Sequence, residues 1–210
     1  MGVKTVANAS KSRNNMRGSE IMIIPTRYPN PGGDVLHARF AFTVELVSNS
    51  SGVAGILLIY GSGTNAAGYG FLNGSCQGFS SLRSAYTKFL VTRLHLKSQL
   101  VSNLTAGGYL AINYEPSSST LANPPTSILD VSNAVHTANA TPGIAAILDL
   151  RPTDYYNDWR YTLAGSDANS NILSQMGVTQ VYGTGPVSST IGVLEVELDI
   201  AFAGYSKLGP

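Results

Sequence analysis

The sequence predicts an all-β protein, a sandwich of two antiparallel sheets, and three observations carry that reading. Only 12% of its 210 residues are charged while Gly alone numbers 22, a composition that suits many strands and turns better than a helical bundle. Apolar residues recur at every second position in several separate stretches. The longest of these, residues 190–205, places Leu194, Val196, Leu198 and Ile200 on one side and Glu195, Glu197 and Asp199 on the other. A helix would scatter those acids around its surface. Three carboxylates on one face of a strand repel one another unless cations lie across the neighbouring strands. This strand is therefore expected inside a sheet, paired on both sides with basic runs.

Taken in order, residues 1–20 show no periodicity and are expected to form a flexible arm. IMIIP at 21–25 is a short apolar run suited to docking on a neighbour, and Pro25, Pro29, Pro31 and Gly32-Gly33 make a hinge. From Val35 to Val47, Ala38, Phe40, Phe42, Val44 and Leu46 point inward and His37, Arg39, Thr43 and Glu45 outward, which is a first strand. Asn49–Gly52 is a turn, and VAGILLIY (53–60) reads as a nearly all-apolar second strand. Residues 61–79 form a long Gly-rich loop without charge; it matches no phosphate-binding pattern and has no Lys. SSLRSAYTKF (80–89) has a Ser cap and helical spacing at Leu82, Ala85, Tyr86 and Phe89, so a short helix is expected. LVTRLHLKSQL (90–100) alternates again, with Leu94 and Leu96 in and Arg93, His95 and Lys97 out. GGYLAINYEP (107–116) is a strand ended by Pro116, and TSILDVSNAVHTAN (126–139) reads as a second short helix. IAAILDL (144–150), YYNDWRYTL (155–163) and MGVTQVYG (176–183) complete the strands. Eight strands, mostly non-local in their pairing, suit a two-sheet jelly roll with Greek-key connections.

The charge is unevenly spread. Residues 1–33 carry Lys4, Lys11, Arg13, Arg17 and Arg27 against Glu20, or +4. Of the chain's 13 Lys and Arg and 12 Asp and Glu, 8 and 11 then remain for residues 34–210, or −3. A basic arm on a near-neutral body is expected to seek a polyanion. No apolar run approaches the roughly 18 residues of a membrane-spanning helix, so no membrane partner is expected. The N-terminal stretch lacks the apolar segment of a secretory signal, and position 6 is Val where myristoylation wants Ser or Thr. Five Asn-x-Ser/Thr sequons, at Asn8, Asn49, Asn73, Asn103 and Asn139, keep a second reading in view: a secreted or surface lectin-like sandwich.

An enzyme is not expected. His37 and His95 sit on polar strand faces and His136 is placed in the second helix, none with a Ser or Cys partner. Neither GxSxG nor HExxH occurs. The single Cys76 reads as a small semi-buried thiol, and acids such as Asp149, Asp154 and Asp158 as solvated or turn residues.

GFSSLRSAYTKFLVTRLHLKSQ followed by GGYLAINYEP resembles the shell domain of capsid proteins of small positive-strand RNA viruses, of tombusvirus, sobemovirus and satellite-virus type. Phe79-Ser80-Ser81-Leu82, Ala85-Tyr86 and Gly108 through Tyr114-Glu115 stand where that family has its helix opening, helix end and Gly-led strand. Ile191-Gly192-Val193-Leu194-Glu195-Val196-Glu197 resembles its closing strand. The similarity spans residues 35–205, and it is the order of the pieces that carries it.

The resemblance implies a division into an arm and hinge (1–33) and a jelly-roll shell (34–210), with the first, last and third strands as neighbours. It implies self-assembly into an icosahedral shell of roughly 60 or 180 copies, a virion location with assembly in the host cytoplasm, and packaging of single-stranded RNA. The RNA-binding residues would be Lys4, Lys11, Arg13, Arg17 and Arg27. No cofactor is expected. Many such shells hold calcium between subunits, yet residues 46–114 contain no Asp or Glu. Glu115 stands where the family often has Asp, and with Asp130 or Asp154 across an interface it makes a weak candidate set for calcium, a hard cation that takes six or more oxygens.

Overall fold

A computed structural model of the chain describes residues 24–25, 35–61, 76, 78–101, 108–116, 124–152, 159–162 and 175–205. In chain order these form β1 (Ile24–Pro25), β2 (Leu36–Val47), β3 (Val53–Gly61), α1 (Phe79–Ala85), β4 (Tyr86–Leu100) and β5 (Tyr109–Tyr114). There follow α2 (Ile128–Ser132), β6 (His136–Ala140), β7 (Ala146–Leu150), β8 (Arg160–Tyr161), β9 (Gln175–Thr184) and β10 (Thr190–Tyr205). One sheet runs β1–β2–β10–β4–β7 with β8 also on β4; the other runs β3–β9–β5–β6. Every pairing is antiparallel. The expected jelly roll is thus observed, with the acidic strand β10 held between β2 and β4.

The core lies between the sheets. Phe40, Leu94, Leu96, Leu194, Leu198 and Phe202 from one meet Leu58, Tyr60, Leu110, Ile112, Tyr114 and Val181 from the other. Phe79 of α1 closes this core: its ring lies 5.9 Å from Phe40, 5.8 Å from Phe89 and 5.6 Å from Phe202. Such aromatic pairs add about 0.5–1.5 kcal/mol each beyond their buried area. The polar groups buried with them are matched. Tyr60 Oη donates to Thr179 Oγ1 at 2.9 Å, and Tyr114 Oη to the Met176 carbonyl at 2.6 Å. Gly177, at φ +132, lets the chain pass the Tyr114 ring, where a Cβ would lie 2.6 Å from the hydroxyl.

The face of the β3 sheet turned away from this core is also buried. Leu57, Ile59 and Val178 form a second apolar cluster there, and Gly55 meets the Pro125 carbonyl so closely that a Cβ would lie 2.4 Å from it. Asn113 Nδ2 donates to the Val131 carbonyl of α2 at 3.4 Å and to Gln180 Oε1 at 3.1 Å. The Gln180 amide in turn donates to Asn113 Oδ1 at 2.9 Å. This buried pair holds α2 on the sheet.

Three element assignments change. The first helix ends at Ala85, because Tyr86–Phe89 pairs with the end of β10 and buries Phe89 completely. Sheet pairing there overrides the helical spacing. The second helix stops at Ser132, and His136–Ala140 is instead β6, paired with β5 from Leu110↔Ala140 to Tyr114↔His136. HTANA has weak strand preference of its own; the free edge of β5 supplies the reason for it to extend. Of 155–163, only Arg160–Tyr161 is a described strand, while 155–158 and 163 lie outside the described residues. The two sheets still hold four main strands each, with β6 taking the place of 155–163.

Candidate functional site

The outward face of the β2–β10–β4–β7 sheet gathers most of the described charge. Its strands alternate because one side packs in the core, so every second residue is pushed toward water. Register then decides which charges meet. Asp199 lies opposite Arg39 on β2 and opposite Arg93 on β4; Glu195 lies opposite Lys97, and Glu197 opposite His95. On the far side of β4, Asp149 of β7 lies opposite His95.

The ion pairs follow. Arg39 binds Asp199 through both nitrogens, Nε to Oδ1 at 2.6 Å and Nη2 to Oδ2 at 3.0 Å. Arg93 grips Asp149 in the same forked way at 3.1 and 2.9 Å. Lys97 Nζ reaches Glu195 Oε2 at 3.2 Å, and His95 Nδ1 stands 3.7 Å from Asp149. The expectation that Arg39, Arg93 and Lys97 face acids across adjacent strands is met, with one change: Arg93 turns to Asp149 rather than to β10. The Arg93 hydrogen bonds hold the Asp149 carboxyl below the usual range. Burial lowers His37, partly offset by Asp199. Pairs this exposed contribute about 0–1 kcal/mol each; their effect is to remove charge from the face. Arg39, Lys88, Arg93 and Lys97 stand against Glu45, Asp149, Glu195, Glu197 and Asp199, so the described face is not a polyanion-binding surface as a whole.

Lys88 differs from the other three. It is exposed, faces Ala203 on β10 and Tyr161 on β8, and its Nζ sits 5.7 Å from the Tyr161 ring centroid. A cation–π contact of this kind adds about 0.5–1 kcal/mol at an exposed site.

The remaining candidates divide. Lys4, Lys11, Arg13, Arg17 and Arg27 lie outside the described residues, as does Asp154. Glu115 follows β5 with its backbone bridged to Val178, N–H to O at 2.8 Å and O to N–H at 2.9 Å. Asp130 caps α2: its Oδ2 accepts from the Thr126 and Ser127 amides, both at 2.9 Å, and these bonds lower its pKa. Among the described residues no group of three or more His, Cys, Asp or Glu is placed to hold a metal. His136 sits on β6, in the opposite sheet from His37 and His95, so the three histidines share no site. Cys76 is buried, which pushes its thiol up to about 12 and leaves it a poor nucleophile. Asp149 was expected to be a solvated or turn residue and instead lies on β7, bonded to Arg93; no role was expected for Tyr161. The alternation of Ile147 and Asp149 against Leu148 and Leu150 was the signal for the first.

No family model matches the chain, and no curated protein matches it in sequence. Solved structures do. The chain matches one in Melon necrotic spot virus at 17% identity and TM-score 0.62, over 98% of its own length and 59% of that chain. It therefore spans about 59% of that longer relative. The match to Tobacco necrosis virus, at 13% identity and TM-score 0.61, covers 92% and 95% of the two chains. That to the semi-empty VLP of the giant freshwater prawn nodavirus, at 14% and 0.56, covers 100% and 96%. The fold is the jelly roll of small RNA virus capsids. At these identities the likeness is one of architecture, and it extends over nearly the whole chain.

Proposed function

We propose that this chain is a viral coat protein that assembles with copies of itself into a closed shell and packages single-stranded RNA through residues 1–33. One observation supports the reading: this two-sheet fold matches structures from small RNA viruses over 92–100% of its length, at TM-scores of 0.56–0.62. The role is mechanical rather than catalytic. Many weak contacts repeated around a closed shell give high avidity while letting single subunits correct errors. Its place is the virion, and the host cytoplasm during assembly. The charge split supports the arm as the RNA-binding element, because the described sheet face has most of its cations already matched by carboxylates. An arm with no aromatic before Tyr28 reads backbone charge rather than bases.

The test changes Lys4, Lys11, Arg13 and Arg17 to Ser and measures RNA content of sedimented particles together with the salt dependence of RNA binding. Four phosphate contacts correspond to a slope of log affinity against log salt near about −2.8 at most, from roughly −0.7 per contact. Loss of RNA with a flattened slope is expected. Unaltered content and slope would move packaging to the body.

A further inference from the structure

We propose that one end of the sandwich joins copies of this chain head to tail around a rotation axis, its Val47–Val187 flank packing on the Ile144–Ile147 flank of the next copy. The proposal rests on the coat-protein reading and adds to it a surface through which subunits meet. Register fixes which residues share this end. Val47, closing β2, lies opposite Thr190, which opens β10; Leu100, closing β4, lies opposite Gly192. In the other sheet Thr184, closing β9, lies opposite both Val53 and Tyr109, which open β3 and β5, and Ala140, closing β6, lies opposite Leu110. The four connections 48–52, 101–108, 141–145 and 185–189 therefore gather here. None of them contains Lys, Arg, His, Asp or Glu.

Apolar side chains stand exposed on both flanks of this uncharged end. Val47 and Val187 are 55% and 60% exposed on the β2 flank, and Ile144 and Ile147 are 67% and 53% exposed on the β7 flank. The order β2–β10–β4–β7 sets the flanks three strand spacings apart, about 14 Å. Both are held by backbone hydrogen bonds. The Ser48 amide donates to the Ser189 carbonyl at 2.9 Å, the Ser188 amide to Asn49 at 3.1 Å and the Gly185 amide to Gly52 at 2.9 Å. Gly52, at φ +73, lets these two turns close, since a Cβ there would lie 2.5 Å from the Gly185 oxygen. On the other flank Thr141 and Ile144 exchange both backbone bonds, at 3.1 and 2.9 Å. Side chains presented this way lose little freedom on contact.

Charge selects the occupant. Connections without a cation have nothing to hold a phosphate backbone, so this end does not suit RNA. A partner of different sequence could answer charge with opposite charge and would not require neutrality. Copies around an axis bring the same residues together repeatedly, so any net charge would meet its like, and a neutral end removes that repulsion. Two apolar pairs on opposite flanks fit a heterologous contact, which uses both and closes into a ring. A two-fold contact would pair one flank with itself and leave the other exposed.

The experiment uses the full chain, wild type and with V187D/I144D, V187D/I144K, the neutral V187S/I144S, or V135D. Val135, 86% exposed just before β6, lies at the opposite end and serves as control. Circular dichroism confirms equal folding, and sedimentation follows particle formation against protein concentration. V187D/I144D is expected to raise the concentration needed for particles about tenfold or more, because like charges then meet at every contact. V187S/I144S should give a smaller rise and V135D none. V187D/I144K, with opposite charges facing each other, should return to within about threefold of wild type. A wild-type threshold in both V187D/I144D and V187S/I144S overturns the proposal, as does an equal loss in V135D. Equal losses in V187D/I144D and V187D/I144K overturn the head-to-tail pairing. A wild type that forms only small oligomers removes the shell reading. The contact then stands if V187D/I144D dissociates those oligomers and V187D/I144K restores them, and it falls if the chain is monomeric throughout.

Discussion

On the β2–β10–β4–β7 sheet, the face turned from the core carries two forked ion pairs, Arg39–Asp199 and Arg93–Asp149, and the Lys97–Glu195 pair. On the β3–β9–β5–β6 sheet, the equivalent face holds Leu57, Ile59 and Val178 at 1%, 4% and 0% exposure, with α2 fastened over it by Asn113. The two faces of one sandwich therefore have opposite physics. Water competes with every contact on the first, so charge there sets what the surface repels or binds more than how stable the fold is. Water is excluded on the second, so each apolar or amide group there bears on stability directly.

Substitutions that cross this divide should separate the faces by size of effect. Leu57→Ala is expected to cost about 2–5 kcal/mol, read as a lower denaturation midpoint with unchanged denaturant slope. A cost comparable to a surface change would mean that the covering of this face is loose. Asn113→Ala strands the Gln180 amide and frees the Val131 carbonyl, for about 1–3 kcal/mol. Hydrogen exchange of α2 should quicken with it; unchanged protection would show that the amide pair does not anchor the helix.

The charged face predicts smaller numbers and a pH signature. A double-mutant cycle on Lys97 and Glu195 should give about 0.2–1 kcal/mol of coupling, shrinking in high salt. His37 sits below its ordinary 6.5, so the unfolded chain binds more protons and stability falls as pH drops through that value. Asp149 sits below its ordinary 3.8, so its contribution is whole above that pH and is lost beneath it. In a pH series, His37→Asn should flatten the first limb and Asp149→Asn the second. A limb that persists in its variant belongs to another group. Smallest of all, a chelator at neutral pH should leave particle sedimentation unchanged, since Asp130 is engaged as a helix cap and Glu115 shares no ligand cluster with it. Swelling reversed by calcium would place ligands among residues that are not described.

The same contrast explains what was legible in the sequence. Strands of the charged face alternate in full view of water, so β2, β4 and β10 could be read residue by residue, and the acids of β10 announced two basic neighbours. Strands β3, β5 and β9 are buried on both sides, so little alternation with exposed residues marks them. VAGILLIY was readable as a strand only by its length and apolarity, and nothing in HTANA declares β6, which extends because β5 offers an edge. The helix boundary at Ala85 escaped for a related reason: Tyr86 and Phe89 fit a helical spacing locally, and only pairing with residues over a hundred positions away decides otherwise. Asp149 was visible as an alternating residue but its partner was not, because register between distant strands is a property of the fold. Lys88 fell inside the helix expected at 80–89, and only strand pairing with β10 places Ala203 opposite it.

Purified full-length chain, imaged by electron microscopy and sedimented at assembly concentration, tests the central claim most directly. Closed particles of uniform size, with RNA inside them, are the expected result. A folded protein that remains a monomer or small oligomer at every concentration and ionic strength, with or without RNA, would contradict it and return the jelly roll to a stand-alone binding module.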